Sequence, residues 1–317
     1  MIQLPVISRD SRIGIVGVGR MGANMAHRLK DCGYPITGVY DVVPQVAQAV
    51  SEALQCPRVS SLAALTAASD VVITVVTDDA AMRAIYTHPS DNLLMNAAGT
   101  LFLNCATITP QVHVDCMTLA HAAGAFMLEC PMASSIPQAR SGQLCLMVAG
   151  DSATYEAALP LLHDLATDIT FVGGPGQAAQ LKALVNMVMN MNTAALAEGL
   201  GLADALGLDL SLVREVFAKT GANSRVLQTD AEDMQVRDHA VYFSASHAAK
   251  DSYIALALGQ SVGLPMVLAD ATARQFDAVV AEGLGELDKS AIAELCFLER
   301  RADHSPVLPA DAGCVAV

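Results

Sequence analysis

Gly14-Ile15-Val16-Gly17-Val18-Gly19-Arg20-Met21-Gly22-Ala23 is the stretch on which the reading of this chain turns. A short apolar run, Arg12 to Val16, enters a segment of helical spacing, Met21 to Leu29, through a glycine-rich turn. If the turn is to hold a dinucleotide, each glycine has its own task. Gly17 makes the tight turn, and Gly19 lets the backbone approach a pyrophosphate. Gly22 lets the helix pack closely on the strand, so that the helix N-terminus faces negative charge. Val18, Arg20 and Met21 lie in the same turn and are candidate cofactor contacts. GxGxxG alone is weak evidence, but a strand before it and a helix after it give it weight. A second apolar run, Ile36 to Tyr40, ends at Asp41, 19 residues beyond Gly22. A carboxylate there accepts hydrogen bonds from both ribose hydroxyls and repels a 2′-phosphate, which favours NAD over NADP.

Composition sets the outer bounds. With 317 residues, 53% of them hydrophobic, the chain has core enough for one large or two ordinary domains. A formal charge of −14 argues against nucleic acid and anionic membrane surfaces as partners. The eight cysteines are scattered, without a CxxC pair, and read as reduced thiols of a cytosolic protein. The eight histidines are equally dispersed, so no metal site is expected. Residues 1–11 contain Pro5, Arg9 and Asp10 and lack the apolar run of a signal peptide, so a cytoplasmic location is expected. The segment Gln177 to Leu206 is apolar enough to suggest a membrane span. Lys182, Asn186, Asn190, Asn192 and Glu198 interrupt it, and it reads better as a long helix buried in a soluble protein.

Along the first half, strand and helix signals alternate. After the two strands above come Val71 to Val76, Leu101 to Asn104, Ala125 to Cys130, Leu144 to Ala149 and Ile169 to Val172. Helical stretches at Val43 to Leu54, Ala80 to Tyr86, Gln111 to Ala123 and Ala153 to Leu165 separate several of them. This alternation predicts an α/β fold: an N-terminal Rossmann-type, mostly parallel doubly wound sheet over residues 1–172. Gly173-Gly174-Pro175-Gly176 breaks the pattern. Residues 173–302 then read as all-helical, entered through the long helix from Gln177 and ending in a helix over Ala291 to Arg301. Residues 303–317 are expected to be a loose tail. The helix from Gln177 is apolar nearly all round, which predicts self-association.

Lys182 and Asn186 are four apart and share a helix face, with Asn190 one turn on. Such groups on an apolar helix need a reason, because leaving them buried and unpaired costs about 1–3 kcal/mol each. One reason is a hydrogen-bonded polar seam between helices. The other is catalysis, with Lys182 passing a proton to or from a substrate hydroxyl while hydride moves, and Asn186 holding the lysine or the substrate oxygen.

With these residues in view, the chain resembles the β-hydroxyacid dehydrogenase family, to which 3-hydroxyisobutyrate and 6-phosphogluconate dehydrogenases belong. Asn104-Cys-Ala-Thr107-Ile-Thr-Pro110 is similar to the family's Asp-x-Ser-Thr-Ile-x-Pro stretch. That likeness places Thr107 beside the cofactor, with Val76, at the end of the third strand, as a further contact. Glu129-Cys-Pro131-Met-Ala133-Ser134-Ser135 is similar to the substrate signature Asp-Ala-Pro-Val-Ser-Gly-Gly, which makes Ala133, Ser134 and Ser135 candidate substrate contacts. Lys182-x-x-x-Asn186 matches the family's catalytic lysine and asparagine. Lys250-Asp251 matches a pair whose lysine reaches the nicotinamide end, with Asp251 on the substrate side. Asp288-Lys-Ser-Ala matches a C-terminal Asp-x-Ser-Ala.

Two departures bear on what carries over. Counting from the glycine linker would put the lysine at Gln180, but only Lys182 keeps an asparagine four residues on. Ser134 and Ser135 stand where the family has two glycines, and Ala133 where it has serine, so the substrate is expected to be acidic and 3-hydroxyisobutyrate-like but need not be 3-hydroxyisobutyrate. The resemblance implies an NAD-dependent dehydrogenase that takes a small β-hydroxy acid to its semialdehyde, or the reverse, working as a homodimer or homotetramer. A semialdehyde, sulfolactaldehyde or glyoxylate reductase of the same family is the nearest alternative. A non-catalytic NAD-binding module is a further one, disfavoured by retention of Lys182 and Asn186.

Overall fold

The computed structural model describes residues 4–301; the expected tail at 303–317 and Cys314 lie outside the described residues. The chain divides into two compact units between Val185 and Asn186.

In the first unit the strands are β1 (Ile13–Val16), β2 (Ile36–Tyr40), β3 (Val71–Thr74), β4 (Leu101–Asn104), β5 (Phe126–Glu129), β6 (Leu144–Gly150) and β7 (Ala166–Gly173). They form one seven-stranded sheet in the order β2-β1-β3-β4-β5-β6-β7. The helices between them are α1 (Arg20–Asp31), α2 (Pro44–Leu54), α3 (Leu62–Ala68), α4 (Asp79–Thr87), α5 (Pro110–Ala122), α6 (Ile136–Ser141) and α7 (Ser152–Leu165). The sequence of β1, β3 and β4 is apolar almost without interruption, and all their residues are buried. That is what a parallel sheet covered on both faces demands. Side chains divide between the faces with a period of two. Ile13, Ile15, Ile73 and Leu103 pack with Met25 and Leu29 of α1. Val72 and Phe102 pack with Met82 and Tyr86 of α4 on the other face.

The expected doubly wound sheet is present, with one reversal. Strands β1 to β5 pair in parallel, whereas β6 runs antiparallel to β5. Only the six-residue α6 lies between them, about 9 Å of helix, too short to carry the chain back across the sheet. The chain therefore re-enters from the edge it had just left. Helix α3 and helix α6 have no counterpart in the sequence reading. At seven and six residues they are too short to repeat the apolar stripe that announces a helix.

Helix α8 (Gln177–Ala205) runs as one continuous element through the division between the units. The second unit continues with α9 (Leu210–Ala218), α10 (Arg225–Val236), α11 (Ala245–Ser261) and α12 (Val267–Ala281). A 3-10 helix over Lys289–Leu295 and the short α13 (Leu298–Arg301) follow. Ala197 and Leu200 of α8 pack with Met234, Phe276, Val279 and Ile292. Here the sequence expectation is corrected: Ala291 to Arg301 is not one helix. Tertiary ion pairs override the helical period, because Lys289 is drawn to the buried Asp230 while Glu294 meets Arg237, His239 and Arg300. Asp288 fastens the approach by accepting the N–H groups of Tyr242, Phe243 and Ser290. Among the described residues no helix is long and apolar enough to cross a membrane. None of them forms a His, Cys, Asp or Glu cluster that could hold a metal ion.

His113 on α5 has no solvent exposure, and neither ring nitrogen finds a hydrogen-bond partner among the described residues. Burial holds its pKa down at about 4, against the opposing pull of the Ala106 backbone and the Asp79 carboxylate. A histidine held neutral in the fold and free to protonate when unfolded stabilises fully above its unfolded pKa. That contribution falls as the pH drops from about 6.5 towards 4, by roughly 3 kcal/mol across the window. Denaturant unfolding of His113→Phe should show a shallower acid loss than wild type over that range. Parallel curves would refute the assignment.

Candidate functional site

The turn after β1 is built by close approach. Gly17 has φ +82°, and a side chain there would strike the carbonyl oxygen of Val75. At Gly22 a methyl would strike the carbonyl oxygen of Gly17, so α1 lies against the turn with no room for a side chain. Gly19 is different: nothing lies within 4 Å of where its Cβ would be. It is also the N-cap of α1, which carries no side-chain cap and no acidic residue in its first turn. The first N–H groups of α1 are thereby left for an anion, and the open face at Gly19 is the space a pyrophosphate requires.

Val18 is buried, Met21 half-buried and Arg20 exposed. Asp41 follows β2, and its carboxylate accepts the N–H of Val18 (3.0 Å) and of Val43 (2.9 Å). It thus ties the glycine turn to the end of β2 while keeping lone pairs for ribose hydroxyls. Val42, 78% exposed, comes next, so no cation follows to welcome a 2′-phosphate. The residues present fit a dinucleotide.

Val76 and Thr107 are half-buried beyond the ends of β3 and β4. Asp79, which the sequence reading did not single out, joins the two loops by accepting the Thr109 N–H (2.8 Å) and hydroxyl (2.7 Å). In sequence it is masked by its neighbour Asp78, which caps α4 through the N–H of Ala81. Ala133, Ser134 and Ser135 follow β5. Ser134 Oγ accepts the Cys145 N–H at 2.9 Å, and the Ser135 hydroxyl meets the Gln138 side chain. Both serines therefore brace their loop. All these candidates lie beyond the carboxyl ends of parallel strands, and the strand order reverses between β1 and β3, where open α/β sheets bind ligands.

Lys182 lies on α8 in the first unit, 7% exposed. The same helix, at its start, meets Glu129 at the end of β5. The Glu129 carboxylate is fully buried and accepts the N–H groups of Gly176 and Ala179.

In the second unit the expected residues converge. Asn186 donates from Nδ2 to Asp251 Oδ2 at 2.6 Å. Lys250 Nζ lies 3.1 Å from Asp251 Oδ1, an ion pair bent away from hydrogen-bond alignment. Asn190 donates to the Ala248 carbonyl and to Ser252 Oγ, both at 3.0 Å. The asparagines thus form a polar seam with α11, and Asn186 connects through Asp251 to Lys250.

Comparisons agree with this architecture. A profile described as the NAD binding domain of 6-phosphogluconate dehydrogenase matches residues 12–174. One described as NAD-binding of NADP-dependent 3-hydroxyisobutyrate dehydrogenase matches residues 176–296. The 2-(hydroxymethyl)glutarate dehydrogenase of Eubacterium barkeri is 26% identical over 91% of this chain and 96% of its own. Glyoxylate/succinic semialdehyde reductase 1 of Arabidopsis thaliana is 26% identical over 91% and 99%. The solved structure of Mycobacterium tuberculosis 3-hydroxyisobutyrate dehydrogenase with L-serine is similar at a TM-score of 0.82, with 26% identity, covering 90% of this chain and 99% of that one. With these relatives, the fold and the glycine turn define a nicotinamide-dependent oxidoreductase acting on CH–OH groups. The chain belongs to the β-hydroxyacid dehydrogenase family, alongside the 3-hydroxyisobutyrate dehydrogenases.

The glycines separate stability from binding. Gly19→Val should leave the melting temperature within about 2 °C of wild type yet weaken cofactor binding at least about tenfold, because its side chain fills only ligand space. Gly17→Ala should instead lower stability by about 1–3 kcal/mol, from a strained φ and a backbone clash. Thermal melts and fluorescence titration with NADH would check both. Equal effects from the two substitutions would contradict the distinction.

Proposed function

We propose that this chain interconverts a small β-hydroxy acid and its semialdehyde with NAD, and that Lys182 handles the proton. The observation that carries the proposal is a buried lysine near the start of an apolar helix, with Asn186 one turn further on. Lysine is rarely this buried, and acid–base chemistry is a reason to hold it there. In oxidation the neutral amine of Lys182 accepts the hydroxyl proton as hydride leaves the carbon bearing that hydroxyl; in reduction the resulting ammonium returns the proton to the carbonyl oxygen. The nicotinamide, when bound, accepts or supplies the hydride. Asn186, held by Asp251, orients the reacting oxygen, and Lys250 serves the nicotinamide end of the cofactor. Thr107, Val76 and the turn from Gly17 to Gly22 hold the rest of the cofactor, with Asp41 on the adenosine ribose.

The substrate is read as a small anion. Ser134 accepts a backbone N–H and so has its own proton to offer a carboxylate oxygen, with Ala133 and Ser135 shaping the same loop. The two serines, where the family has glycines, favour as a second reading a reductase of glyoxylate or succinic semialdehyde, and the spacing of Lys182 from the glycine linker adds a sulfolactaldehyde reductase. Residues 1–172 are assigned to the cofactor and residues 173–302 to substrate and assembly. The protein is read as cytoplasmic and as a homodimer or homotetramer, and exposed Leu184 and Val188 on α8 support the self-association.

Two measurements test this. Lys182→Ala should lower kcat about 10²–10⁴-fold while NAD still binds, and near-normal turnover would exclude the assignment. The assay follows NADH absorbance over 3-hydroxyisobutyrate, L-serine, threonate, 4-hydroxybutyrate and glycerate, with glyoxylate and succinic semialdehyde in the reverse direction. Wild type should favour NAD in kcat/KM, and Asp41→Ala should erode that preference at least about tenfold. A wild type that prefers NADPH would show that Asp41 has been misread.

A further inference from the structure

The carboxylate of Glu129 lies in an unusual place for a charged group. It closes β5, has no solvent exposure, and its backbone register is set on both sides, opposite Asn104 of β4 and Ala149 of β6. Its two oxygens divide between the N–H groups of Gly176 and Ala179, the latter at 3.3 Å. A helix must find partners for its first four N–H groups, usually from a side chain just before it. Here the partner comes from the sheet, 47 and 50 residues back in the chain. Gly176 contributes a φ of +86°, and the position of its absent Cβ is only 3.3 Å from the Val114 side chain of α5. Seated on β5 and against α5, the first turn of α8 has little freedom to rotate or slide.

Lys182 follows Ala179 by three residues, less than one further turn. Any rotation of the first turn about the helix axis would swing the lysine by the same angle. Displacements near 1 Å at a reacting group are enough to cost about 10²-fold in rate. Burial raises the pKa of Glu129, opposed by the N–H groups of Gly176, Ala179 and Ala178. The sheet thus has a rigid, hydrogen-bonded handle on the helix that carries the amine.

We propose that Glu129 is the positioning residue for Lys182: it fastens the first turn of α8 to the carboxyl end of β5, and so sets the direction and local field of the amine. This inference rests on the acid–base reading of Lys182.

The test is made on the full chain without needing the natural substrate. Brief acetic anhydride labelling across a pH series, read by mass spectrometry, gives the titration midpoint of Lys182, with exposed Lys30 and Lys219 as internal references. In Glu129→Ala, and more weakly in the isosteric Glu129→Gln, the Lys182 midpoint should move by about half a pH unit or more, with both references unchanged. Hydrogen exchange of the peptide over 176–182 should accelerate at least about tenfold in the same variants. Turnover of 3-hydroxyisobutyrate with NAD, or of glyoxylate with NADH, should fall in the order wild type, Gln, Ala. NADH affinity should stay within about twofold of wild type, since Glu129 is not among the cofactor contacts. Should Glu129→Ala fail to fold, Glu129→Gln decides alone, because it keeps the volume and one acceptor oxygen. An unmoved Lys182 midpoint with unchanged exchange in Glu129→Gln would overturn the proposal. Lys182→Ala, run in parallel, separates the two readings: if that variant keeps turnover, the acid–base assignment fails, whatever Glu129 does.

Discussion

The contact between α1 and the turn after β1 is the constraint from which the rest follows. At Gly17 and Gly22 the backbones meet at distances that admit no Cβ. That closeness holds α1 against the sheet and aims its uncapped N-terminus over the strand ends. Gly19 then has nothing to pack against, so its lack of a side chain serves the space outside rather than the fold within. One short motif therefore contains two kinds of glycine, distinguished only by what a methyl group would meet. Asp41 completes the arrangement by bonding to Val18, so that the group proposed to hold ribose also steadies the turn beside it.

Buried polar groups carry the second part of the architecture. Leaving a polar group buried without a partner costs about 1–3 kcal/mol, so most such groups are answered, His113 being an exception. Asn186 is answered by Asp251, Asn190 by Ser252 and the Ala248 carbonyl, Lys289 by Asp230, and Glu129 by the start of α8. Glu294 is drawn below the usual glutamate range: burial alone would raise it, but His239, Arg237 and Arg300 outweigh that. Some of these pairings are structural and some adjoin the proposed chemistry. The polar stripe on α8 combines both, since its asparagines lock α8 to α11 in the second unit while its lysine belongs to the first.

Much of this was legible in the chain. Ile36–Tyr40 and Leu101–Asn104 appear as strands with the bounds read from sequence, because apolar runs flanked by turn residues leave little choice. Helix α8 was visible from its length and composition. Less legible were α3 and α6, too short or alanine-rich to show a stripe, and the 3-10 helix over Lys289–Leu295, where distant ion pairs overrule local preference. Among functional candidates, Asp79 and Glu129 escaped because their partners lie in other loops. Asp79 reads as one of two acids at a helix start, and Glu129 as the end of a strand.

Local chemistry alone thus determined the succession of the seven strands, the glycine turn and the acidic residue after β2, because each depends on neighbours a few positions away. Tertiary structure decided the reversal of β6, the binding of Asn186 to Asp251 rather than outward from its helix, and the seat of α8 on Glu129. Those choices depend on which groups meet after distant segments pack, when burial removes water as a partner and makes each polar group accept whichever donor or acceptor the fold brings near.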